Sequence, residues 1–153
     1  MTDTSAFLKS FIQVADTHAQ RMQIALTHTA ELFPIQETTW DQLSAEQISM
    51  LDMLTTRFGK LQDIIGSKIF PLMLNMLGEN DLSFKDKLNK LEKLKIIKSA
   101  QWWMKARELR NQIAHDYPDN YEILSAHLND MLPYIQELAL FWMELKQYVA
   151  VNF

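Results

Sequence analysis

An all-α fold, an up-and-down four-helix bundle with an extra short helix, is predicted by three features of this 153-residue chain. Glycine and proline are scarce, with three and four respectively, which disfavours a turn-rich β fold. Apolar residues recur at three- and four-residue steps through most of the chain, the spacing of a helical face. Serines and acidic or amide residues stand at capping positions just before those runs. At this length a single domain, residues 1–153, has room for a sizeable core.

The elements follow in order. From about residue 4 to 32, Phe7, Phe11, Val14, Met22, Ala25 and Leu32, beside Leu8, Ile12, Ala15, Ala19 and Leu26, predict a broad apolar helix face closed by Pro34. His18 and His28 on this helix have no acidic companions at metal spacing and read as ordinary histidines. Residues 35 to 43 read as a loop anchored by Trp40. Ser44 and Gln47 have capping-box spacing and start a second helix, whose stripe is Leu51, Leu54, Phe58, Leu61, Ile65, Leu72 and Met76. Pro71 is expected to kink or end it, because proline removes a donor and clashes one turn back.

Gly78 to Leu82 reads as a turn. Ser83 then caps a short helix from Phe84 to about Lys93, with Leu88 and Leu91 inward and the lysines outward. After a break over 94 to 98, Ser99 caps a helix over 100 to 115. The adjacent Trp102 and Trp103 point in different directions, so one is expected in the core and the other near a ligand or a partner. Asp119 or Asn120 caps the final helix. Tyr121, Leu124, Leu128, Met131, Ile135, Leu138, Trp142, Leu145 and Val149 line one face of it, and Pro133 is expected to kink it.

Composition excludes several functional classes. With no cysteine there is no disulfide, thiolate metal site or cysteine nucleophile, which suits a reducing, cytoplasmic setting. The first residues lack the basic and apolar blocks of a signal peptide. The longest apolar run is interrupted by Pro71 and Asn75, so no membrane span and no membrane partner are expected. Neither Glu-x-x-His nor His-Glu-x-x-His spacing occurs, the glycines are too scattered for a phosphate loop, and no metal or cofactor is expected.

The net charge of −4 conceals an asymmetry. Residues 83 to 110 carry nine basic and three acidic groups, or +6, while the remainder carries six basic and sixteen acidic groups, or −10. Such a concentration attracts a phosphate backbone locally, and also reads simply as a solvated lysine face. Lys98, Lys105 and Arg107 lie nearest the end of this stretch and are the candidates for substrate binding.

The basic stretch leads into Arg107-Glu108-Leu109-Arg110-Asn111-Gln112-Ile113-Ala114-His115-Asp116-Tyr117-Pro118. Pro118 disfavours α geometry for Tyr117, so the helix is expected to stop near His115 or Asp116. Asn111 and His115, four apart, share a helix face. Arg110 and His115 are five apart, about 140° around the axis, within reach of a long guanidinium. A histidine near its free pKa of ~6.5 serves as base or acid, arginine offers forked donors to phosphate, and a tyrosine hydrogen-bonds phosphate or stacks on a base. The same residues also read as a C-terminal helix cap, with Arg110 paired to an acid on a neighbouring helix. On the second helix Arg57, Gln62 and Asp63 are polar residues that read as solvent-exposed, and the sharper reading has Asp63 or Arg57 facing the site to orient Arg110 or His115.

Arg110, four residues, His115, one residue and Tyr117, written RNQIAHDY, resembles the signature of the HEPN superfamily. The trailing tyrosine is similar to that of the toxins in HEPN/minimal-nucleotidyltransferase toxin–antitoxin pairs. The frame of RFGKLQDIIG at 57 to 66, a basic helix and then the motif agrees with that resemblance. The resemblance implies a helical-bundle homodimer and a metal-independent ribonuclease with Arg110, His115 and Tyr117 catalytic, supported by Asn111, Asp63 and Arg57. It implies, too, a cognate nucleotidyltransferase antitoxin that adds adenylate to Tyr117. The alternative is a non-catalytic HEPN subunit that binds a nucleotidyltransferase and its substrate.

Overall fold

The computed structural model describes the backbone of residues 2–116 and 120–153, and the side chains of 3–113 and 120–153. Six α-helices make up the described chain: α1 (Thr2–Thr29), α2 (Ala45–Ile64), α3 (Phe70–Met76), α4 (Phe84–Lys93), α5 (Ala100–Asp116) and α6 (Tyr121–Asn152). No strand occurs among the described residues. A π-turn over Ile65–Ile69 joins α2 to α3 without a break, so the two helices form one rod.

Cross-helix contacts give the direction of each rod. His18 meets Arg57 and Phe11 meets Lys68, so α1 and the α2–α3 rod are antiparallel. Gly59 lies against Arg110 and Gly66 against Trp103, so α5 runs antiparallel to α2. Trp103 meets Phe141, whereas Ile113 shares a cleft with Leu124 and Leu128, so α6 runs antiparallel to α5. Asp16 meets Trp142 and Lys146 to close the ring between α1 and α6. The result is an up-down-up-down bundle of four rods, with α4 as the extra short helix packed on α3 and α5.

The caps stand where the sequence places them. Ser44 Oγ accepts from Gln47 N, and Gln47 returns the bond to Ser44 N, completing the capping box of α2. Ser83 caps α4 through Asp86 N. Ser99 Oγ takes Trp102 N at the start of α5, where Glu92 also accepts from Ala100 N. At α6 the capping side chain is Asn120, which accepts from Ile123 N; Asp119 lies outside the described residues.

Phase is where the structure departs from the sequence pattern. On α1 the buried positions are Leu8, Ala15, Met22 and Ala25, whereas Phe7 and Val14 are exposed. Two apolar stripes run one residue apart along α1, and the one through Leu8, Ala15 and Met22 faces the core. On the second rod Leu72 and Met76 are only half-buried, and Ile69, Phe70, Met73 and Leu74 fill the core instead. The π-turn explains this, because its i→i+5 bond, Phe70 N to Ile65 O, inserts an extra residue and shifts the stripe. It also accommodates Pro71, which falls in the first turn of α3, where its missing N–H costs nothing.

Pro133 lies inside α6 without ending it, although its ring removes the bond to the Asn129 carbonyl. The neighbouring Asn129 side chain clamps the 33–43 segment by accepting from Ile35 N at 2.7 Å and donating to Ile35 O at 2.8 Å. Trp40, in a 3₁₀ turn at Glu37–Gln42, is buried, stacks on Tyr121 at 5.0 Å and donates to Ser125 Oγ at 2.7 Å. That stack is why Tyr121, read as a core position, stays half-exposed on its other face.

Candidate functional site

The seam between α5 and the α2–α3 rod is built on two glycines, Gly59 of α2 and Gly66 of the π-turn. A Cβ at Gly66 would meet the Trp103 ring at 3.5 Å, an ordinary packing distance, so Trp103 lies flat against the helix. Seven residues earlier, a Cβ at Gly59 would stand 2.9 Å from Arg110 Nε and 3.3 Å from its Cγ. A side chain at 59 would press on the arginine, which crosses α2 closely over this glycine. These two glycines were visible in the sequence only as part of a resemblance; the steric reason for them lies in helix packing.

Arg110 uses that passage to reach Asp63. Its Nη2 donates to Asp63 Oδ2 at 2.7 Å, and Nη1 donates to Asn111 Oδ1 at 3.2 Å. Arg110 and Asp63 keep 35% and 50% of their side-chain surface, so the pair lies at the surface rather than in the core. The guanidinium is thus oriented by a carboxylate on the neighbouring helix, with donors remaining for an incoming anion. The same geometry fulfils the alternative expectation, that Arg110 pairs with an acid across the bundle.

Asp63, Asn111 and Arg110 therefore come together, and Arg57 does not join them. Arg57 turns the other way, towards α1, and donates through Nη1 to His18 Nδ1 at 2.9 Å. At 100° per residue Arg57 and Asp63 stand about 120° apart around α2, which places them against different neighbours. The backbone of His115 belongs to α5, but its side chain, and all of Tyr117, lie outside the described residues.

The three substrate-binding candidates divide similarly. Lys105 and Arg107 line an open groove of about 980 Å³ along the outer face of α5, with Trp102, Asn111, Gln112 and Tyr134. Lys105 pairs with Glu108 at 3.7 Å, and the Arg107 guanidinium stands 4.7 Å over the Phe84 ring. Of the two tryptophans, Trp103 is the core residue, and Trp102 stacks on Tyr134 at 5.7 Å at the groove wall. Lys98, at the opposite end of α5, borders a second cleft with Trp102, Leu140 and Glu144. Twelve residues separate it from Arg110, about 18 Å along the helix.

Among the described residues no cluster of histidine, aspartate and glutamate side chains is arranged to hold a metal ion. None of the described helices is long and apolar enough to cross a membrane. Compared with known proteins, the chain matches no family model, no curated protein and no solved structure.

Proposed function

We propose that the chain is a HEPN-type, toxin-like ribonuclease acting as a homodimer, held in check by a nucleotidyltransferase antitoxin that adenylates Tyr117. The observation that carries this reading is the Arg110 guanidinium, fixed by Asp63 across a glycine-made passage and presented at the surface on the last turns of α5. It stands one residue from Asn111 and five from His115 on the same helix, the set that the motif requires.

In the proposed reaction the ribose 2′-oxygen attacks the adjacent phosphorus, and the bond from phosphorus to the leaving 5′-oxygen breaks. His115 of one subunit takes the 2′-hydroxyl proton, and the second subunit's His115 protonates the leaving oxygen. One histidine per motif is too few for both duties, which is why the site is assigned to a dimer. Arg110 stabilises the charge growing on the phosphoryl oxygens, Asn111 orients His115, and Tyr117 positions the substrate. Lys105 and Arg107 draw the RNA backbone along the α5 groove, and the Trp102 ring at its wall is placed to stack a base.

A second reading has its own observation: both terminal nitrogens of Arg110 already have acceptors, as a purely structural arginine would. On that reading the chain is a non-catalytic subunit that docks a nucleotidyltransferase. Expression without a partner separates the two. Growth arrest and RNA cleavage by the wild type, both lost in His115→Ala and Arg110→Ala, support the nuclease. Intact RNA in the presence of folded wild-type dimer would rule it out and leave the docking subunit.

A further inference from the structure

We infer that His18, Arg21, Arg57 and Lys60 form a phosphate-binding site on the outward seam of α1 and α2, separate from the motif on α5. The inference does not depend on the ribonuclease reading, because binding here requires no cleavage.

The geometry begins with the 2.9 Å contact between Arg57 Nη1 and His18 Nδ1. Arginine only donates, so Nδ1 presents its lone pair and the remaining proton of the neutral ring is on Nε2. Arg21 lies three residues after His18 and Lys60 three after Arg57, so each extends the pair by one turn on its own helix. Successive three-residue steps turn the helix by about 60°, placing Lys60 between Arg57 and Asp63 on the outward strip of α2. None of the three cations forms an ion pair with a carboxylate among the described residues. This is unlike Arg110, Lys105 and Lys146, each of which has one.

Electrostatics agrees with the geometry. Burial holds His18 below its ordinary value, and the positive charges of Arg57, Lys60 and Arg21 push it further the same way. These are the charged groups that α1 and α2 present to the ring, and all are positive. A phosphate group placed among them would neutralise that field, accept from the guanidinium and ammonium groups, and favour protonation of His18. Binding and proton uptake by His18 are therefore linked, and affinity for a phosphodiester, whose own charge is fixed, should rise as the pH falls. A phosphate here could belong to a polynucleotide backbone or to a free phosphate or phosphate monoester; the chemistry of recognition is shared.

The test follows the His18 ring resonances of the full chain by NMR, titrated with inorganic phosphate and, separately, with decauridylate. A saturable shift accompanied by a raised His18 pKa is expected. Arg57→Gln and Lys60→Gln should each weaken it roughly tenfold, and Lys68→Gln, whose ammonium stands over Phe11 away from the cluster, should leave it unchanged. Lys60 makes no hydrogen bond or ion pair with described residues, so its variant is expected to keep the fold if Arg57→Gln does not. Decauridylate binding at least tenfold tighter than phosphate, and weakening with salt, identifies a polynucleotide. Equal affinities identify a free phosphate group, and both patterns support the site. His18 resonances indifferent to both ligands, or a Lys60→Gln variant binding as the wild type does, would overturn it.

Discussion

Two seams of the bundle each carry a carboxylate paired with a cation, and they are built in different ways. Between α1 and α6, Asp16 Oδ1 accepts from Trp142 Nε1 and from Lys146 Nζ, both at 3.0 Å, and Oδ2 accepts from Gln20. The Trp142 ring is buried, so its N–H has no recourse to water, and its bond is the leading reason that Asp16 lies below the usual carboxylate value. Between α2 and α5, Asp63 holds a guanidinium over a glycine, at the surface, with no buried group depending on the bond. The first carboxylate satisfies the core; the second aims a side chain outward. A similar pair of charges can thus be read by what it leaves orphaned when removed.

Removing each carboxylate tests that difference, and the largest loss of stability is expected from Asp16→Ala. It leaves the buried Trp142 N–H unpaired, at a cost of about 1–3 kcal/mol in urea unfolding. On the proposed reading, its effect on RNA cleavage should extend no further than the fraction unfolded.

Acid sharpens the same contrast. His18 has a lowered value in the folded chain, so between its ordinary 6.5 and that lower value the unfolded state binds more protons, and stability falls as the pH drops through this window. Asp16 is also lowered, from 3.8, and the stability that its ionised form contributes is lost at still lower pH, as the pH falls through its folded value. Thermal unfolding followed from pH 7 downward should show the first decline absent in His18→Gln and the second retained.

Gln62, on the α2 face between Gly59 and Gly66, is buried, and neither amide atom has a hydrogen-bond partner among the described residues. Replacing it with methionine, of similar shape, should raise stability by about 1 kcal/mol in the same unfolding assay. Smallest of all on this scale is Asp63→Ala, a half-exposed pair worth at most about 1 kcal/mol. Its consequence is functional. With Arg110 no longer held, RNA cleavage on the proposed reading should fall by on the order of a hundredfold, while the melting temperature barely moves. A cleavage rate equal to that of the wild type would return Arg110 to a structural role.

Much of the bundle is legible in the sequence because helices announce themselves locally. Ser44, Ser83, Ser99 and Asn120 cap through bonds to residues three positions on, which spacing alone reveals. The core face of α6 from Leu124 to Val149 follows simple periodicity. Choices between neighbouring faces were less visible. Phe7 and Leu8 have comparable claims to the core until α2 and α6 are in place. Arg57 and Asp63 are polar residues of one helix, and only the packing of α1 on one side and α5 on the other sends them apart. The pairing of Arg110 with an acid of a neighbouring helix was legible in the sequence; the closeness of Gly59 to that arginine was not, because it is a distance between helices.

The π-turn at Ile65–Ile69 gives the second rod one place that tolerates a change in its own length. A helix keeps count of its residues, but the wide turn already holds one more than an ordinary one, so one fewer between 65 and 69 would restore ordinary winding and leave what lies beyond it close to its present direction. Phe70, Met73 and Leu74 would then keep their places in the core. A single codon lost here should thus do less damage than one lost from the ordinary turns of α2, where everything beyond would swing by about 100°. Sequences descended from a common ancestor with this one are expected to vary in length in the loops and at 65–69 sooner than between Ala45 and Ile64.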